Sequence, residues 1–139
     1  MQAESLSKVE WLILTGLTSI TDEQAEILSK MKVLSLDGLT SITDEQAESL
    51  SKVRTLVLNG LTSITDEQAE SLSKVNRLRL SGLTSITDKQ AESMSKVESW
   101  LHLYGLTSIT DEQAESLSKV LALSISDDLQ PLIDKYKNQ

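Results

Sequence analysis

The sequence predicts an α/β solenoid, with short parallel strands side by side on one surface and short helices on the other. Three observations predict it. A sixteen-residue phrase, GLTSITDEQAESLSKV, occupies Gly38–Val53 and returns letter for letter at Gly60–Val75 and Gly105–Val120; near copies from Gly16 and Gly82 differ only at Ile27, Met31, Lys89 and Met94. The glycines at 16, 38, 60, 82 and 105 set a period of twenty-two residues with one insertion before the last, and a fixed period of that length marks a repeat array. Between the phrases apolar residues alternate at period two, while each phrase carries the letters that start a helix.

In chain order, residues 2–8, QAESLSK, match the closing letters of a repeat helix, so the array begins half-way through a unit. A segment of the form V-x-x-L-x-L-x-G follows. It recurs from Val9, Met31, Val53, Val75 and Val97, with a last version from Val120 to Asp127. Its leucine pairs (Leu12 and Leu14, Leu34 and Leu36, Leu56 and Leu58, Leu78 and Leu80, Leu101 and Leu103) and finally Leu123 with Ile125 define six strands with one buried face. After each glycine, L-T-S-I-T is too brief and too β-branched for a helix, and Leu17 and Ile20 are spaced to point inward.

A helix then starts. Thr21 is a good N-cap, Gln24 three places on completes a capping box, Ile20 and Ala25 can form a hydrophobic staple, and Asp22 and Glu23 place negative charge on the positive end of the dipole. The same signals recur at Thr43, Thr65, Thr87 and Thr110. Ala25 and Leu28 form a narrow inward stripe, with Asp22, Glu23, Glu26 and Ser29 left for water. A period of twenty-two is also twice eleven, the repeat of right-handed coiled coils. A glycine and a strand-like alternation in every unit exclude one continuous helix.

At Ser126 the repeat gives way to DDLQPLIDKYKNQ. Leu129, Leu132, Ile133 and Tyr136 fall at helical spacing, and Pro131 fits only a first turn. The expected organisation is an array over 1–126 and a capping helix within 127–139, with the N-terminal edge uncapped.

The strand segment resembles the L-x-x-L-x-L core of leucine-rich-repeat proteins, with valine in the first place, and the I-T-D at each helix start is similar to the family's cysteine-containing subclass. The resemblance implies a curved right-handed solenoid, with strands on the concave face, helices on the convex face, and a binding role. One departure stands out: Leu17, Leu39, Leu61, Leu83 and Leu106 occupy the places of the family's internal asparagine or cysteine ladder. The turn backbone then needs other partners, for which Thr18 and Ser19 are the candidates. Near-identical short repeats of this kind also resemble those of some bacterial proteins or of a consensus design.

Composition narrows the function classes. Cysteine is absent, which excludes disulfides and thiolate metal sites. No apolar run is long enough to span a bilayer and residues 1–8 do not resemble a signal peptide, so the chain reads as soluble, with no compartment indicated. A net charge of −8 argues against nucleic acid as the main partner. There is one histidine, His102, and no phosphate loop, H-E-x-x-H or calcium loop. Capping accounts for the repeated carboxylates of TDEQAE without acid–base chemistry. The chain therefore reads as non-enzymatic, with no cofactor and no metal.

The most informative comparison is between repeats. The phrase changes at only four places, whereas the outward strand positions hardly agree: Trp11, Val33, Thr55, Arg77, Trp100 and Ala122 in one row, then Ile13, Ser35, Val57, Arg79, His102 and Ser124, then Thr15, Asp37, Asn59, Ser81, Tyr104 and Ser126. Drift at exposed positions would also scatter changes over the helix surface. The sheet face is therefore the expected recognition surface, with Trp11, Ile13, Arg54, Arg77, Arg79, Trp100, His102 and Tyr104 as its candidates, because aromatic residues and arginine anchor interfaces. The extra residue between Val97 and Leu101, assigned to Ser99, is expected to form a bulge that re-aims Trp100. An Arg–Trp cation–π pair that only stabilises the sheet is the competing account of the cluster. The expected partner is a protein or peptide that presents acidic groups beside an apolar anchor; self-association through the uncapped N-terminal edge is a second contact. The rival reading is a structural spacer or idealised scaffold with no ligand.

Overall fold

The computed structural model describes residues 11–137. The half-repeat at 2–8 and the inward place given to Val9 lie outside the described residues. Six strands, β1 (Trp11–Ile13), β2 (Val33–Ser35), β3 (Thr55–Val57), β4 (Arg77–Arg79), β5 (Trp100–Leu103) and β6 (Ala122–Ile125), form one parallel sheet in chain order. Between them run five seven-residue helices, α1 (Asp22–Leu28), α2 (Asp44–Leu50), α3 (Asp66–Leu72), α4 (Asp88–Met94) and α5 (Asp111–Leu117), and α6 (Gln130–Lys137) follows β6. Parallel neighbours twenty-two residues apart need a crossover, and each helix supplies it.

The register aligns equivalent letters. Trp11 pairs with Val33, Val33 with Thr55, Thr55 with Arg77, Arg77 with Trp100 and Trp100 with Ala122. Leucines of successive repeats therefore stack into one row. Leu34, Leu36, Leu39, Leu56, Leu58, Leu61, Leu78, Leu80 and Leu83 are fully buried. A seven-residue helix is far too short to hold its own shape in water. Here it is held by burial of Ala47, Ala69, Ala91 and Ala114 and by a capping box at every start, with Thr21, Thr43, Thr65, Thr87 and Thr110 as N-caps.

The turn backbone is satisfied chiefly by glutamine rather than by Thr18 or Ser19. Gln46 Nε2 donates to the Ile20 carbonyl at 2.7 Å, and Gln68, Gln90 and Gln113 repeat the bond to Ile42, Ile64 and Ile86 at 2.8, 2.8 and 2.9 Å. These side chains are buried, so one residue caps its own helix and ties it to the preceding repeat. Among the described residues a threonine takes the expected part only near Thr107, whose hydroxyl donates to the Thr84 carbonyl at 3.3 Å. The cap threonines also reach across: Thr43, Thr65 and Thr87 donate to Asp22, Asp44 and Asp66 at 3.2, 3.3 and 2.8 Å. Ser29, expected at the surface, is buried with its hydroxyl on the Glu26 carbonyl.

At Gly38, Gly60, Gly82 and Gly105 the turn is closed by proximity. A Cβ on Gly60 would lie 2.2 Å from the Asp37 carbonyl oxygen and 2.4 Å from that of Leu39. Beyond β6, α6 buries Ile133 against the last repeat, with Leu129, Leu132 and Tyr136 partly covered. Pro131 stands in its first turn.

Candidate functional site

The three variable rows lie side by side on the sheet's outer surface because strand residues alternate between faces. The eight candidate residues fall into two groups and one outlier. Trp11, Arg54 and Arg77 line a trough of about 380 Å³ across the N-terminal ends of the strands, together with Lys32, Val33, Thr55, Asn76 and Ser99. Arg79, Trp100, His102 and Tyr104 form a second cluster on β4 and β5. Ile13, on β1, is 64% exposed and belongs to neither.

In the second cluster, three aromatic rings at alternate positions, two on β5 and one just after it, pack edge to face. His102 meets Trp100 at 5.1 Å and 88°, and Tyr104 at 4.1 Å and 85°. Such T-shaped contacts are the favoured geometry of ring quadrupoles. The Trp100 indole donates to Ser124 Oγ on β6 at 3.0 Å, and the Arg79 guanidinium stands 6.0 Å from the Trp100 ring centroid. That is the outer limit of a cation–π contact, so this pair adds little to sheet stability.

Three expectations are corrected here. His102 is not displayed for contact but only 4% exposed, because the larger rings two places away on either side close over it. Arg79 and Trp100 are half-buried rather than largely exposed. The extra residue makes no bulge in β5. Ser99 N and Trp100 N both donate to the Asn76 carbonyl, as Asn76 N and Arg77 N do to that of Arg54. Ser99 therefore stands where Asn76 stands one repeat earlier. The additional residue is Glu98, taken up ahead of the strand, and Trp100 stays in the row of Arg77.

Burial, with the nearby Arg79 charge second, holds the His102 imidazole below its ordinary value of 6.5. It is therefore neutral at neutral pH. Both of its ring nitrogens and Arg79 Nε are buried without a hydrogen-bond partner among the described residues.

The trough was only partly foreseen. Lys32, Asn76 and Ser99 precede their strands and belong to no outward row, so alternation gave no signal for them; Arg54, in the same lead-in place, stood out only by residue type. Two or more cations in register one repeat apart were the signal available. The third row is partly structural: Asp37 Oδ1 accepts from Asn59 N at 3.1 Å and Asn59 Oδ1 from Ser81 N at 3.0 Å. Among the described residues no cluster of three or more His, Cys, Asp or Glu could hold a metal ion, and no helix is long and apolar enough to cross a membrane.

Sequential parallel strands, a stacked leucine core and one short capped helix per repeat define a leucine-rich-repeat solenoid. Among solved structures, the fold is similar to that of an internalin, InlF, from Listeria monocytogenes str. 4b F2365, with a TM-score of 0.58 over 89% of this chain at 16% identity. This chain spans 36% of that one. No protein-family profile and no curated protein matches the sequence.

Proposed function

We propose that the chain is a non-enzymatic binding module that docks a protein or peptide on the outer face of its sheet. The observation that carries this reading is the contrast between faces. The glutamine and threonine at the starts of α2–α5 are tied to the preceding repeat, the threonine through that repeat's aspartate, which explains why those letters recur. Glu26, Glu48, Glu70, Glu92 and Glu115 are exposed and unchanged in every copy. Exposure alone therefore does not scatter changes, and the variety along Trp11 to Trp100 and Ile13 to His102 favours a surface shaped for contact. Its half-buried and exposed aromatic and arginine side chains are of the kind that anchors interfaces. The spacer reading accounts for the repeats but gives no reason for an arginine pair beside three stacked rings.

The test is to select binders from a displayed peptide library and map them by hydrogen exchange. Protection over β3–β5 is expected. Arg79→Ala and Trp100→Ala should each weaken binding about tenfold, the equivalent of about 1.4 kcal/mol, whereas Glu67→Ala and Glu70→Ala should be silent. Protection confined to α1–α5, or no binders at all, would count for the spacer.

A further inference from the structure

The trough across the strand N-termini has the chemistry of an acceptor for acid. Among the described residues no carboxylate lines it. Arg54 and Arg77 are exposed and make no salt bridge among the described residues. Beside them stand Lys32, Val33 and the neutral hydrogen-bonding side chains of Thr55, Asn76 and Ser99, with Trp11, 68% exposed, at the β1 end. The neighbouring backbone is already committed to the sheet, since Thr55 N donates to the Lys32 carbonyl and Arg77 N to that of Arg54. In a chain of net charge −8 whose helix starts are lined with aspartate and glutamate, two guanidinium groups lining one trough are the exception. Arg54 comes one place before Thr55, the residue that Arg77 faces, so the two like charges lie diagonally across one strand spacing, a repulsion that an anion between them relieves.

Resting on the binding role proposed above, we propose that this trough holds an extended acidic peptide segment laid across the strands, with carboxylates on Arg54 and Arg77. Adjacent strands are about 4.8 Å apart, and alternate side chains of an extended peptide point the same way about 6.8 Å apart. The long arginine side chains absorb that difference, so acids at positions i and i+2 reach the two guanidinium groups, each of which can grip a carboxylate with two parallel bonds. Trp11 offers an apolar residue of the same peptide a face to rest on. Nucleic acid is disfavoured, because its binding draws on many phosphate contacts across a broad basic surface, and Asp37 and Glu98 stand on the same face.

Fluorescence anisotropy with a labelled decapeptide alternating glutamate and valine tests this, beside its glutamine counterpart and a thymidine decanucleotide. The glutamate peptide should bind at least tenfold more tightly than either. Arg54→Ala and Arg77→Ala, which leave no partner unpaired and should keep the wild-type circular dichroism, should each weaken it about tenfold. Raising salt from about 50 to 500 mM should weaken it further, since exposed charge pairs are screened. Equal binding of the glutamine peptide, tighter binding of the oligonucleotide, silent arginine variants or no binding would each overturn the proposal. If it fails while library-selected binders still protect β3–β5, the acidic trough alone is wrong. Protection confined to the helices removes the binding reading as well.

Discussion

Gln68 is the residue on which the coupling between repeats can be measured. It is 7% exposed, accepts from Thr65 N at 3.1 Å through Oε1, and donates to the Ile42 carbonyl at 2.8 Å through Nε2. Gln68→Glu keeps the acceptor of the capping box but replaces the donor with a second acceptor facing a carbonyl. The lost bond and the unsatisfied half-buried oxygen together cost about 1–3 kcal/mol, and the buried negative charge adds to that. Gln68→Ala loses both bonds and should cost about 2–4 kcal/mol. Thr65→Ala, which removes the N-cap and a 3.3 Å bond to Asp44, should cost only about 0.5–2 kcal/mol. Acid should partly rescue the glutamate variant, because a protonated carboxyl has an O–H to donate to Ile42. Urea titrations of wild type and variants at pH 7 and pH 4 give the comparison at matched pH. A Gln68→Glu deficit absent at pH 7, or unchanged between the two pH values, would show that glutamine serves only its own helix.

Gly60→Ala places a methyl group 2.2 Å from the Asp37 carbonyl oxygen, a backbone atom that cannot move aside, and should destabilise by about 3 kcal/mol or more. Gly16→Ala, with nothing within 4 Å, should change the urea midpoint little, and equal effects at the two sites would contradict the close-approach account. Truncation after Ser126 uncovers the last repeat where Ile133 is fully buried and should produce aggregation on size-exclusion chromatography; a monomer with an unchanged melting temperature would refute the capping role of α6. His102 is held below 6.5 in the fold, so the unfolded chain takes up its proton first. Its contribution to stability is therefore complete above about pH 6.5 and declines as pH falls from there to the folded value. His102→Phe, which keeps a ring between Trp100 and Tyr104, should flatten that part of the pH–stability curve, and an unchanged slope would place the titration elsewhere.

Strands, helix starts, core rows and the open face were legible because each follows from a local period or a short signature repeated five times. The glutamine bridge was not legible, for a physical reason: Gln46 has a sufficient role within three residues, and its second bond, to Ile20, spans twenty-six. A letter explained locally gives no sign of a distant partner. His102 misled in a different way. Period two places it correctly on the outer face, yet outward became exposed only by assuming small neighbours, and Trp100 and Tyr104 are the bulkiest pair on the sheet. The insertion was located to a segment, but letters do not show whether Glu98 or Ser99 is the added one. The carbonyl of Asn76, which accepts from Ser99 and Trp100, decides it.

The placement of the bridges has a consequence for how such an array can change. Neighbouring repeats are joined by the leucine core, by glutamine to isoleucine carbonyls, and by threonine to aspartate on the helix side; stability in a solenoid is a sum of such nearest-neighbour terms. None of these uses a side chain of the first two outward rows, apart from the Trp100 bond to Ser124. Apart from the buried His102, those rows and the lead-in positions of Arg54, Asn76 and Ser99 can thus vary with little effect on stacking. The third row cannot, since Asp37 and Asn59 hold the next repeat's backbone. Binding specificity should therefore be carried by the lead-in and first two rows, and substitutions at Asn59 should lower stability before they alter recognition.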